Sequence, residues 1–344
     1  MMTTVLSENA AAGQTTTASL SATRNHPTLD DRFPSRLTAL EEVPEPLRGA
    51  MCGLRPAPDR FRLLLFGPAS RLAGQRASAS LLAITDTGWL LARDAENGRA
   101  TVAQGDFANT LRVELTCILL YGRLRIDFAV AGRVDTTFAE FNTVYEDEYR
   151  QAVQRLLDGM NGVPSGTSAD SPTSCPLHES LPMKFRHAIS RYQPVGRGLR
   201  RVVYWPAVMQ ANRRWWQRPL AGEGLLALTD RTLTLMTGEP QRSWFRARAE
   251  TRYGYVITYC PLCRLAGATW SAEGIIASLE LALRNPQGGE TLNINLPQCR
   301  SADVNALVRE ALDLRSSPPA QVGNGFPGVA HFETKPCLPE KGAA

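Results

Sequence analysis

LLAITD at residues 81–86 and LLALTD at residues 225–230 differ at one position and stand 144 residues apart. Upstream, residues 44–69 lie on residues 182–207 at a constant offset of 138 without a gap. The matched landmarks include Pro44 with Pro182, Arg48 with Arg186, Ala50 with Ala188, Pro56 with Pro194, Arg62 with Arg200 and Pro68 with Pro206. A period near 140 is too long for a solenoid, so the chain reads as a duplicated domain. The duplication also supplies an internal control. A residue present in only one copy is not demanded by the shared fold.

A chain of 344 residues has room for two domains of ordinary size. The composition divides it into a Thr-, Ser- and Ala-rich tail at residues 1–40, a first copy at 41–160 and a linker at 161–180. A second copy at 181–315 and a Pro- and Gly-rich tail at 316–344 complete the chain. Both tails are expected to be disordered. No apolar run reaches the length of a membrane span and no secretion signal opens the chain, so a cytoplasmic location is expected. Seven cysteines, an odd number, then point to reduced thiols.

Each copy shows the same order of signals. A short amphipathic segment, residues 47–54 or 185–192, precedes several short apolar runs separated by turn formers. Alternation at Leu124, Ile126, Phe128 and Val130, and at Leu279, Leu281 and Leu283, predicts strands with one buried face. One amphipathic helix ends each copy, with the stripe Tyr145, Tyr149, Val153, Leu156, Leu157 or Val304, Leu307, Val308, Leu312. Glu146, Asp147 and Glu148 suit the first helix start, and Ser301 is the expected N-cap of the second.

The Thr-Asp blocks, each followed by a strand, resemble the LTD-x-R-L strand pair of bacterial pleckstrin-homology-like and GRAM-type domains. Thr229, Asp230, Arg231 and Leu233 carry the resemblance best, and residues 257–265 with the strand-to-helix ending extend it. It implies a mainly β, α+β fold: two PH-like barrels, each closed by a C-terminal helix. It implies binding of lipids, peptides or proteins, and no reaction. No catalytic residue, cofactor or metal ligand is therefore assigned.

The copies differ in charge. Residues 40–160 hold 14 basic and 16 acidic side chains, against 19 and 10 in residues 181–315. The second copy is also six residues longer around residues 210–220, QANRRWWQRPL. In a PH-like domain this is the loop joining the first two strands, where lipid-binding members hold headgroups. Arg213, Arg214 and Arg218 could meet anionic groups, and Trp215 and Trp216 suit a bilayer interface or a protein hot spot. Each basic residue near an anionic surface contributes roughly 1 kcal/mol. The loop equally suits a structural role, with the tryptophans folded onto their own barrel. The partner expected is a protein, with peripheral anionic membrane contact as the alternative. Nucleic acid is disfavoured, because the basic charge is confined to one copy and no recognition motif appears. No small-molecule substrate is implied.

Cys260 and Cys263 form Cys-Pro-Leu-Cys, which offers a metal or redox alternative. A redox pair should open a helix, and zinc needs four ligands, so packing thiols are the expectation. The corresponding first-copy positions are expected at Leu111 and Glu114. Gly323, Gly325 and Gly328 match a dinucleotide motif outside any strand–helix setting, and carry no assignment.

Overall fold

The computed structural model describes residues 16–19, 35–52, 61–72, 75–94, 99–163, 181–194, 198–209, 219–238 and 254–316. Its strands are β1 (Thr16–Ser19), β2 (Ser35–Arg36), β3 (Leu63–Gly67), β4 (Ser70–Leu72), β5 (Gln75–Ala77) and β6 (Ser80–Ile84). Next come β7 (Gly88–Asp94), β8 (Arg99–Asp106), β9 (Thr110–Ile118), β10 (Tyr121–Val130) and β11 (Arg133–Asn142). The second half contributes β12 (Leu199–Trp205), β13 (Gly224–Thr229), β14 (Thr232–Thr237), β15 (Gly254–Pro261), β16 (Leu265–Glu273), β17 (Ile276–Asn285) and β18 (Gly288–Pro297). Helices α1 (Glu45–Cys52) and α3 (Met183–Tyr192) open the halves, and α2 (Glu146–Met160) and α4 (Ser301–Ser316) close them. Pro44 and Pro182, the first landmarks of the repeat, stand immediately before α1 and α3.

From β8 to the start of α2, every boundary recurs at an offset of 155, placing residues 99–160 on 254–315, and α4 runs one residue further than α2. The offset thus steps from 138 to 144 to 155, and each step is a longer loop in the second half. The Thr-Asp blocks have a local cause. Thr85 and Thr229 each accept from and donate to the backbone at the far side of the β6–β7 or β13–β14 turn. Asp86 pairs with Arg62, and Asp230 with Arg200 at 2.8 Å. These half-exposed ion pairs stabilise little; their recurrence records a shared turn geometry.

The apolar runs before those turns are continuous because both faces of the strand are covered. Leu82 and Ile84 enter one core while Leu81 and Ala83 enter another beneath α1. In the second half Leu225 and Ala227 face the first half, and Leu226 and Leu228 face α4. The predicted helix stripes sit inside, with Tyr149, Leu156, Leu157, Val304 and Leu307 all at 1% exposure or less. Ser301 is the first residue of α4 and donates its hydroxyl to Gln298 O, where an N-cap role was expected.

The expected barrels do not close. Among the described residues the sheets run β1-β8-β7-β6-β3-β2, β11-β10-β9-β15-β14-β13-β12 and β16-β17-β18, with a β4-β5 hairpin. Closure would need the two sheets of one half to share a hydrogen-bonded edge. Instead β9, from the first half, pairs antiparallel with β15, from the second, over residues 113–118 and 254–259. The central sheet is therefore continuous across the halves, and so is one core. That core joins Val113, Leu115, Leu156 and Leu157 to Phe185, Ile189, Ile257 and Tyr259. Two short strands, β1 and β2, fall within the N-terminal stretch expected to be a tail.

Candidate binding surface and the junction between the halves

β12 ends on Trp205, which is fully buried and donates Nε1–H to Gly222 O at 3.1 Å. Gly224 is small for the same reason, since a Cβ there would stand 2.5 Å from the Trp205 ring. Beyond this anchor Val208 and Ala221 form a bridge, with Val208 N–H and Leu220 N–H donating across it at 2.8 Å each. The bridge pins the two stems of the six-residue excursion. Met209 and Leu220, the residues leaving it, are 53% and 43% exposed. Arg213, Arg214, Trp215, Trp216 and Arg218 themselves lie outside the described residues.

Leu220 also walls an open groove of about 900 Å³ against the β16–β17 hairpin, with Ser271, Glu273, Gly274, Ile275 and Asn295. Gly274 turns the hairpin at φ +59°, and Ile275 beside it is 60% exposed. Met209, Leu220 and Ile275 thus present apolar surface on the rim from which the insertion departs.

The same rim carries a second excursion that the sequence reading missed. β12–β15 is an antiparallel meander, so the β12–β13 and β14–β15 connections leave from one end of it. The second connection is eleven residues longer than its first-half counterpart, the step from 144 to 155. It reads EPQRSWFRARAETRY over residues 239–253, again rich in Arg and aromatic residues. The signal was the second change of offset, hidden because β8 and β15 are dissimilar in sequence.

The other concentration of chemistry is buried at the junction of the halves. Asp127 is fully buried; its Oδ2 accepts from Arg112 Nε at 2.7 Å. Its Oδ1 accepts from Arg125 Nε at 2.8 Å and from the Thr136 hydroxyl at 2.6 Å. Glu290, from β18, brings Oε1 within 2.8 Å of Arg112 Nε. That oxygen accepts no hydrogen bond, because the single Nε proton is directed at Asp127; the Glu290 contact is coulombic. Burial raises the Glu290 carboxyl above its ordinary range, with Arg112 opposing. Around this network Arg264 donates to Thr110 O at 3.0 Å and Phe107 O at 2.9 Å, and Asn285 donates to Asn109 O at 2.7 Å. The Asp127 carboxylate is saturated by its two arginines and Thr136, and with Glu290 beside Arg112 the network clamps the two halves together.

Cys260 and Cys263 are thiols in unlike surroundings. The Cys260 thiol is buried in the second-half core, and burial pushes it up to about 12. Cys263 is exposed on the turn after β15 and donates to Met160 O at 3.5 Å. A thiol held protonated by burial is a poor nucleophile at neutral pH. Among the described residues no group of three or more His, Cys, Asp or Glu could hold a metal ion. The structural offset places Gly105 and Ala108, not Leu111 and Glu114, opposite the two cysteines. Cys299 is disulfide-bonded, which departs from the expectation of wholly reduced thiols.

The buried thiols make alkaline stability a test of the fold. Burial pushes Cys117 up to about 12 as well. A thiol in the unfolded chain titrates at about 8.5, so the folded state holds both protons longer. The stability this contributes is complete below that value and is lost as pH rises toward 12. Between pH 8 and pH 10, urea denaturation should show a loss of about 4 kcal/mol from the two thiols together. A Cys117→Ala/Cys260→Ala variant should show a flatter slope over that interval; an unchanged slope would place the lability elsewhere.

No family model matches the chain, and no curated protein matches it. Among the described residues no helix is long and apolar enough to cross a membrane.

Proposed function

We propose that the chain is a non-enzymatic cytoplasmic binding or adaptor protein, derived from a duplicated unit, that takes a protein partner on one rim of its second half. One observation carries the reading: both length differences between the halves emerge at the same end of the β12–β15 sheet. Additions that the shared fold does not need, grouped on one rim, are what a binding surface grafted onto a scaffold looks like. Their composition agrees. Arg and Trp are the residues in which interface hot spots are enriched, and Met209, Leu220 and Ile275 supply an apolar floor between them.

The test uses the full chain as bait in lysate, beside a Trp215→Ala/Trp216→Ala variant and an Ile275→Asp variant. A protein retained by the wild type and reduced at least tenfold, roughly the loss of one hot spot, by both variants supports the reading. Flotation with vesicles containing anionic lipid runs in parallel. Wild-type flotation that both variants abolish, with no protein captured, would move the assignment to a membrane surface. Capture equal in all three proteins, with no flotation, ends it.

A further inference from the structure

The contact that joins the halves is head-to-tail, and such a contact leaves its two complementary surfaces unused at the ends of the molecule. At an offset of 155, β15 corresponds to β8 and β9 corresponds to β16. The pairing of β15 with β9 therefore predicts a pairing of β8 with β16, which no single chain can make. The two ends look as this requires. Among the described residues β16 is an edge strand, paired on one side only, and its residues 269 and 271–273 are exposed. It carries no Lys and no Pro, the residues that usually protect an edge. Trp270 stands where β9 has the fully buried Leu115, yet it is left only partly covered.

The other end is occupied. β1 pairs with β8 antiparallel, with Thr16 opposite Val102, Thr17 opposite Thr101, Ala18 opposite Ala100 and Ser19 opposite Arg99. Shifted by 155, these four positions of β8 are those at which β15 receives Leu115, Thr116, Cys117 and Ile118 of β9. The four-residue strand thus fills the slot of a β9-type strand in the same register and direction. On β16 the residues equivalent to Thr17 and Ala18 are Ser271 and Ala272, close matches in size and polarity.

We propose that the β16 edge is a docking edge for a second copy of this chain, which enters through its own β8 after β1 has left it. β1 is then an intramolecular plug that keeps the protein from polymerising. Main-chain hydrogen bonds supply the affinity, as in other strand additions. The association is weaker than the internal junction, because Arg112 and Asp127 are replaced in the second half by Gly267 and Ala282. The edge shares Ser271 and Glu273 with the groove beside the rim proposed to bind a protein partner, but it is read out by self-association rather than by partner capture.

Sedimentation of the full chain is compared with a variant lacking residues 1–20 and with Thr17→Pro, both checked for unchanged circular dichroism. Wild type should be monomeric, and both variants should form concentration-dependent series of dimers and longer species. Adding Ser271→Pro or Thr269→Pro to the deletion should return it to monomer. In the deletion background, an equimolar mixture of Thr101→Cys and Ser271→Cys chains should form an intermolecular disulfide, and a Thr101→Cys and Ser278→Cys mixture should not. Variants that stay monomeric at all concentrations overturn the proposal. So does association insensitive to both prolines, or a wild-type oligomer that the deletion dissolves, since β1 would then be an exchanged strand.

Discussion

Replacing Asp127 with alanine should destabilise the protein by about 3–5 kcal/mol, the usual cost of leaving a buried charge without its partner. Two arginines point at this carboxylate, Arg112 at 2.7 Å and Arg125 at 2.8 Å, and neither has another buried anion at hydrogen-bonding geometry. Removal would leave Arg112 held by Glu290 alone, through a contact whose proton is misdirected. Asp127→Asn preserves the shape and one acceptor, so it should lose less than Asp127→Ala. The measurement is urea denaturation at neutral pH, with the midpoint and slope fitted separately. A loss below about 1 kcal/mol for alanine would mean that water reaches the arginines and the clamp is not desolvated. The second half offers a built-in comparison: its equivalent of Asp127 is Ala282, so the shared fold does without the charge.

Separating the halves should have a still larger effect. Residues 35–163, expressed alone, would lose the neighbour of β9 over six paired positions. They would also expose the face on which Phe185, Ile189, Ile257 and Tyr259 pack. Residues 181–316 alone would uncover the underside of the β12–β15 sheet. Phe185, Ile189, Ile257 and Tyr259 are each at 2% exposure or less in the intact chain. Exposing such side chains costs roughly 1.5–3 kcal/mol apiece, which together is comparable to the whole stability of an ordinary domain. The expectation is one cooperative urea transition for the intact protein, and fragments that aggregate or show collapsed amide dispersion by NMR. Two fragments with well-dispersed spectra and sharp transitions of their own would refute it.

What could be read in the sequence, and what could not, divides along local and non-local lines. LLAITD and LLALTD were legible because a strand buried on both faces must be apolar without interruption. The closing helices were legible because α2 and α4 each bury a stripe at helical spacing. β8 and β16 escaped notice. RATVAQGD and LAGATWSAE consist mostly of small and polar residues, which suits strands near an edge and carries weak periodicity. Missing β8 misplaced the register of the Cys-Pro-Leu-Cys comparison by six residues and concealed the second Arg- and Trp-rich excursion. Barrel closure failed for a different reason. An edge carries backbone groups that any extended segment can satisfy, so side chains on β9 do not specify whether its neighbour lies in the same half. The residues that fix the choice, Arg112, Asp127 and Glu290, are scattered through three strands, and Arg112 and Asp127 have no charged counterparts in the repeat. The proposed site was legible as an insertion, and its apolar floor was not, since Met209, Leu220 and Ile275 are brought together only by the β16–β17 hairpin.

The pairing of Thr116 with Val256 also governs how the protein can be made. A chain leaving the ribosome presents β9 long before β15 exists, so the nascent first half has an unsatisfied strand edge and half of an unfinished core throughout that interval. Contacts between residues so distant in sequence form slowly. Translation speed and holdase chaperones therefore have a grip on this protein that a pair of self-sufficient beads on a string would escape, and the yield of correctly assembled molecules should depend on both.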